Sequence, residues 1–212
     1  MSSTQPSLSG YRYGDAETNA SHRYLLPMVL RLVQDVLPQA KGARIFDLGC
    51  GNGAVAAMLN AAGYGVSGVD VSDEGIAQAR RQRPQLNVAI GSAYDDLSSK
   101  YGRFPLVVSL EVVEHLYAPR LYAKTLYNLV EPGGAIIIST PYHGYWKNLA
   151  LAVTGQMDRH FTALWDHGHI KFWSQQTLST LLMEAGFSHL WFYRVGRVPA
   201  LAKSMIVTAR KA

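Results

Sequence analysis

Between Ala43 and Pro141, short apolar runs alternate with stretches of helical period. That rhythm constrains the fold more than any other feature of the chain. The runs are ARIFDL (43–48), YGVSGVD (64–70), a stretch over 86–91, FPLVVSLE (104–111) and AIIISTP (135–141). Helical patterns fall between them. One spans about 54–62 and ends at Gly63, one spans 74–82 and is stopped by Pro84, and the third is APRLYAKTLYNLV before a Pro132-Gly133-Gly134 turn. Near-continuous apolar strands separated by helices predict a parallel sheet covered on both faces. Upstream, residues 21–36 predict a helix with Leu26, Val29, Leu30 and Val33 on one side, beginning at Pro27, where proline is tolerated. Residues 142–170 break the rhythm and are expected as an insertion or lid at the top of the sheet, helical around 146–153. SQQTLSTLLMEAGF returns to helix, with Ser174 as N-cap and Gly186 as stop. Two strand-like runs then follow with no helix between them, which predicts an antiparallel pair at a sheet edge.

The chain has 212 residues and is 48% hydrophobic, which suits one well-packed domain over 21–212. Residues 1–20 are polar and read as a flexible arm. The net charge of +5 is scattered, and only Arg80, Arg81 and Arg83 cluster. That pattern argues against a nucleic-acid stripe. Cys50 is the single cysteine, so no intrachain disulfide forms. No signal-peptide pattern and no apolar run of membrane-spanning length is present, so a cytoplasmic location is expected.

FDLGCGNGAV places Gly49, Gly51 and Gly53 between a strand and a helix. Glycine permits the sharp turn and a close backbone approach to a ligand. The helix start beyond it offers unpaired N–H groups. Asp70 ends the next strand, 21 residues after Gly49, where a carboxylate can accept from both hydroxyls of a ribose. A nucleoside-containing cofactor is the expected ligand. A dinucleotide site wants a third glycine where Ala54 stands, and Asp47 is unwelcome beside a pyrophosphate. An acidic group there suits a cofactor with a cationic amino-acid tail.

With these residues in place, the chain resembles the class I S-adenosylmethionine-dependent methyltransferases from about Tyr24 to Lys211. FDLGCGNG resembles the family's first motif, GVDVS its ribose-binding acidic motif, and LVEPGGAIIISTP the segment around the fifth strand. SLEVVEHL and ISTPY most resemble the ubiquinone-pathway O-methyltransferase branch. The resemblance implies a Rossmann-like α/β fold: a seven-stranded, mostly parallel sheet with a C-terminal antiparallel hairpin and helices on both faces. It implies that Asp47 and Gly49 hold the methionine end, Gly51 shapes the loop, and Asp70 binds the ribose. Val71 would pack on the adenine, Ser92 and Ala93 would border it with Asp95 nearby, and Leu110 and Glu111 would line the methionyl side. Taken alone, Val71 and Leu110 read as ordinary core.

VVSLEVVEHLYAP puts Glu111, Glu114 and His115 at the expected active edge. Relatives with a Glu-x-x-Glu-His arrangement resemble metal-dependent enzymes. A divalent cation such as Mg²⁺ would suit that set, although no metal is expected here. His115 is the first candidate for a general base. His169 is the second, and His167 lies one residue from it on the same side if the stretch is extended. Tyr142, His143, Tyr145, Trp146 and Trp165 are expected to wall a pocket. YWKNLALAV, with Lys147, would also suit transient contact with a membrane surface. The expected reaction is methyl transfer to a hydroxyl oxygen of a small molecule: a phenol, quinone precursor, sugar or natural product. A small-molecule amine is the alternative acceptor. A nicotinamide-dependent oxidoreductase and a non-catalytic cofactor-binding regulator are the rivals from other classes.

Overall fold

The computed structural model describes residues 22–39, 42–165 and 168–212. The arm expected over 1–20, and His167, lie outside them. A seven-stranded sheet forms the centre, with strands in the order β3-β2-β1-β4-β5-β7-β6. Its members are β1 (Arg44–Leu48), β2 (Gly65–Asp70), β3 (Asn87–Ile90), β4 (Phe104–Leu110), β5 (Val130–Pro141), β6 (Phe187–Val195) and β7 (Ser204–Lys211). β1 to β5 pair in parallel, and β7 runs antiparallel between β5 and β6. The hairpin therefore closes one end of the sheet as the sequence implied, with its second strand inside and its first at the edge.

Both faces are covered because successive side chains leave a strand on opposite sides. On β1, Phe46 and Leu48 join one core, and Ile45 joins the other. Helices α1 (His22–Val36), α2 (Ala54–Ala61) and α3 (Asp73–Gln82) supply one layer, through Leu25, Val29, Val55, Leu59 and Ile76. Helices α4 (Leu97–Tyr101), α5 (Pro119–Leu129) and α8 (Gln175–Glu184) supply the other, through Leu97, Tyr122, Leu126, Leu178 and Leu182. The Ser174 cap is present as a full capping box with Thr177.

Three local expectations change. Helix α1 begins at His22 and runs through Pro27, with Leu25, not Leu30, among its buried residues. Proline so near the start removes a single backbone bond, and the burial of Leu25 and Leu26 holds the first turn. Pro132-Gly133-Gly134 lies within β5 as a bulge: Phe104 pairs with Val130, whereas Leu106 pairs with Ala135. The short α4 carries too few residues for a visible period, but its Asp96 cap is a recognisable signal. The 142–170 segment holds two helices, α6 (Tyr145–Val153) and α7 (Met157–Phe161). Among the described residues, no helix is long and apolar enough to cross a membrane.

Candidate active site

Between β1 and β4 the strand order reverses, and a ligand crevice is expected outside the strand ends at such a point. A cavity of about 1020 Å³ opens there. Apart from Asp95, it brings together every residue singled out above as cofactor-side or as a base. Asp95 does not line it; its carboxylate accepts from Ser92 N at 2.8 Å and fixes the loop after β3.

The glycine loop is held to β2 by its backbone. Gly49 N and Cys50 N both donate to Val69 O, at 2.8 and 3.0 Å. Gly49 has φ +86°, and a Cβ there would lie 2.3 Å from Val112 Cγ2. Dihedral and space both demand glycine. Asp70 clamps the arrangement, accepting from Gly51 N at 2.9 Å and from Ser72 N at 2.8 Å. Burial raises its pKa, while those amides and the nearby His115 pull it back. Asp47 is 2% exposed, and its Oδ2 has no hydrogen-bond partner among the described residues. Burial first, then the charge of Asp70, pushes its carboxyl up to about 7. Val71 is 41% exposed, so ordinary core packing does not describe it; Leu110, by contrast, is buried in the core as well as lining the cavity.

Glu111 sits at the end of β4 with φ +55°, an uncommon backbone for a non-glycine residue. Its N–H is shared between Ser139 O (3.1 Å) and Ser139 Oγ (3.0 Å). The Ser139 hydroxyl donates to Glu111 Oε1 at 2.8 Å, and Ser204 Oγ donates to Oε2 at 3.5 Å. Burial pushes this carboxyl up to about 7 against those bonds.

Glu111, Glu114 and His115 do not converge as a set. Glu111 faces the cavity, whereas Glu114 is 1% exposed behind it. Both Glu114 carboxyl oxygens are buried with no well-formed hydrogen bond among the described residues, and burial, then Glu111, pushes the group well above the usual carboxylate range, with Thr140 pulling it back. Its backbone carbonyl accepts from Ile170 N (2.9 Å) and Lys171 N (3.0 Å), which ties down the end of the 142–170 segment. His115 and His169 meet with ring centroids 4.9 Å apart, beside Trp165. His115 Nδ1 lies 3.2 Å from Gly168 O. A carbonyl only accepts, so Nδ1 carries the proton and Nε2 is the lone-pair nitrogen. Burial, then His115, lowers the His169 pKa to about 4. One atom each from Glu114, His115 and His169 lies within 4.8 Å of the others. The cluster that geometry brings together therefore exchanges Glu111 for His169, and its two imidazoles fit a transition metal better than Mg²⁺.

The expected aromatic wall is only partly right. His143 and Trp165 line the cavity, joined by Phe161 and Phe172. Tyr145 and Trp146 point to solvent, 79% and 67% exposed, and Tyr142 packs into the core. Lys147 reverses its expected orientation: it is 9% exposed, lines the cavity, and donates to Tyr142 O at 2.8 Å. Sequence reasoning also missed Arg197 and Lys203, which reach the cavity from the loop between β6 and β7. Their only signal was a basic residue beside Gly196 and another just before a strand.

The family described as "Methyltransferase domain" matches residues 20–190. Among curated relatives, the chain is 29% identical over 164 residues to a ubiquinone biosynthesis O-methyltransferase of Thiobacillus denitrificans, covering 76% of this chain and 70% of that one. It is 30% identical over 150 residues to the protein of the same name from Cereibacter sphaeroides, covering 69% of this chain but 60% of that one. In fold it is similar to magnesium protoporphyrin IX methyltransferase from Synechocystis PCC 6803, solved with bound SAH. The TM-score is 0.68 at 18% identity, covering 89% of this chain and 82% of that one. A reversed final hairpin, a glycine loop clamped by Asp70, and a family match over most of the length agree: the chain belongs to the class I S-adenosylmethionine-dependent methyltransferases, related to the ubiquinone O-methyltransferase branch.

Proposed function

We propose that this protein methylates a hydroxyl oxygen of a small molecule, with S-adenosylmethionine as donor and His115 as the base. The observation that carries the reading is the His115–Gly168 contact, which leaves Nε2 as the basic nitrogen in a cavity shared with Asp47 and Asp70. The residues present fit the cofactor. The unpartnered, buried Asp47 oxygen suits a cationic amino group, the glycine loop leaves room for close approach, and Asp70 faces the place of a ribose. Val71 and Ala93 would flank an adenine and Ser92 would border it, while Leu110 and Glu111 would line the methionyl side. When bound, the cofactor supplies an electrophilic methyl on sulfur.

The chain's own contribution is alignment and proton removal. Holding acceptor and donor in one cavity replaces a bimolecular encounter with an oriented one, the main lever for two bound reactants. An acceptor hydroxyl gives its proton to His115 Nε2, and the Gly168 carbonyl stabilises the ring that results. His169, whose pKa burial lowers to about 4, is a poor proton acceptor at neutral pH and instead orients His115 and Trp165. Turnover with labelled methyl donor on matched phenol and aniline acceptors tests the reading. Label in the phenol, lost in His115→Gln, supports it. Label in the aniline alone favours amine methylation and removes the need for a base.

The outward face of α6 supports a further part of the reading. Tyr145, Trp146, Leu149 and Val153 are all exposed on it, which suits contact with a membrane surface and an acceptor bearing an apolar tail. Cosedimentation with anionic vesicles, abolished in Trp146→Ala, is the expected result; no cosedimentation overturns it.

A further inference from the structure

Helix α6 is inside out. Its apolar Tyr145, Trp146, Leu149 and Val153 face solvent, while its one charged residue, Lys147, is its one buried residue. A packed helix normally does the reverse. Among the described residues Lys147 keeps a single hydrogen bond, to Tyr142 O, so two of the ammonium's three donors are left over there. Arg197 stands close enough to repel it, and Lys203 lines the same cavity. Among the described residues, no ion pair involves any of these cations. Glu111, the carboxylate whose charge reaches Lys147, is already held by Ser139 and Ser204. An open cavity leaves such a cluster accessible to solvent. An acceptor that fills the cavity expels that solvent, and a buried ammonium then needs a counter-charge.

We infer that the methyl acceptor carries an anionic group, a carboxylate or phosphate, recognised by Lys147, Arg197 and Lys203. Strand order favours the acceptor over the cofactor's own carboxylate as the source of that anion. Lys147 follows β5, and Arg197 and Lys203 lie between β6 and β7. Those strands stand on the far side of β4 from β1, β2 and β3, whose tips carry Asp47, the glycine loop and Asp70.

This inference rests on the proposed methyl transfer, and its test separates the two. The full chain is first titrated with S-adenosylhomocysteine by calorimetry. No binding overturns the methyl-transfer reading and this inference with it. The loaded protein is then titrated with 3,4-dihydroxybenzoate and with catechol, two diols that differ by one carboxylate. A charge-assisted contact to a buried group predicts about tenfold or greater preference for the benzoate. Arg197→Gln, at an exposed site, and Lys147→Met should each shrink that preference and leave S-adenosylhomocysteine affinity unchanged. Equal affinity for the two diols, or binding of neither, overturns the inference while the cofactor assignment stands. Loss of S-adenosylhomocysteine affinity in Lys147→Met, with the diol preference intact, assigns the cation to the cofactor instead.

Discussion

Asp47 carries a carboxyl at about 7 because it is buried and faces Asp70 with one oxygen unpartnered. The sign of its pH dependence follows. Below about 7 the group is protonated, so affinity for a cationic cofactor falls with falling pH, by about tenfold per pH unit for one linked proton. The free protein behaves oppositely. Between the unfolded value, 3.8, and about 7, the folded state binds the extra proton, so this group's contribution to stability declines as pH rises through that window. Asp47→Asn should therefore stabilise the ligand-free protein more at pH 8 than at pH 5, in paired thermal melts. The same variant should bind S-adenosylmethionine about 10- to 100-fold more weakly at pH 8, as loss of a charged hydrogen bond implies. His115→Gln should cut turnover about 10²- to 10⁴-fold. Cofactor affinity should hold, and more acidic phenols should recover part of the rate, a pattern that a merely structural histidine would not give. Asp47, Asp70 and His115 could be singled out in the sequence as cavity residues because Asp47 and Asp70 lie at strand ends that the apolar runs already marked and His115 lies in the turn that follows β4. Lys147 could not. A lysine in an apolar helix reads as a surface residue, and only tertiary packing decides which face turns inward.

At the scale of elements, the glycine loop is the piece whose geometry leaves least freedom. Gly49→Ala meets two penalties at once: the left-handed backbone, about 1–2 kcal/mol, and overlap with Val112, about 1–3 kcal/mol. Urea unfolding should show a destabilisation near the sum. Adding Val112→Ala should remove the overlap and leave the backbone part, so a double variant no better than the single would contradict this account. The strands and long helices were legible because their periods repeat over enough residues to register. The five-residue α4 and α7 were not: α7 buries no side chain, so no apolar period exists to be read. Val112 against Gly49, and the left-handed Glu111 held by Ser139, depend on contacts between distant segments that local pattern does not encode.

Across the whole molecule, the sheet divides at β4 into two working halves. The tips of β1 to β3 present a loop pinned by backbone bonds to β2 and by the Asp70 carboxylate. The β5, β7 and β6 side is covered by helices with little holding them down: α6 buries only Lys147, α7 buries nothing, and α6 rests on α7 and on the short turn at Pro199–Leu201. Elements with few buried apolar contacts open at low free-energy cost. The two halves should therefore respond to different ligands. In hydrogen exchange, S-adenosylhomocysteine should slow the amides of 49–52, 70–72 and 91–94 and leave 145–161 nearly unchanged. An anionic diol added to the loaded protein should then slow 145–161, as its charge engages Lys147 and draws α6 onto the cavity. Full protection of 145–161 by S-adenosylhomocysteine alone would mean that the cofactor, not the acceptor, closes the site, and the division at β4 would fall. Protection in two steps would instead make acceptor charge the condition for closure, so that a neutral analogue binding the same cavity would leave the helices open and the methyl-transfer step exposed to water.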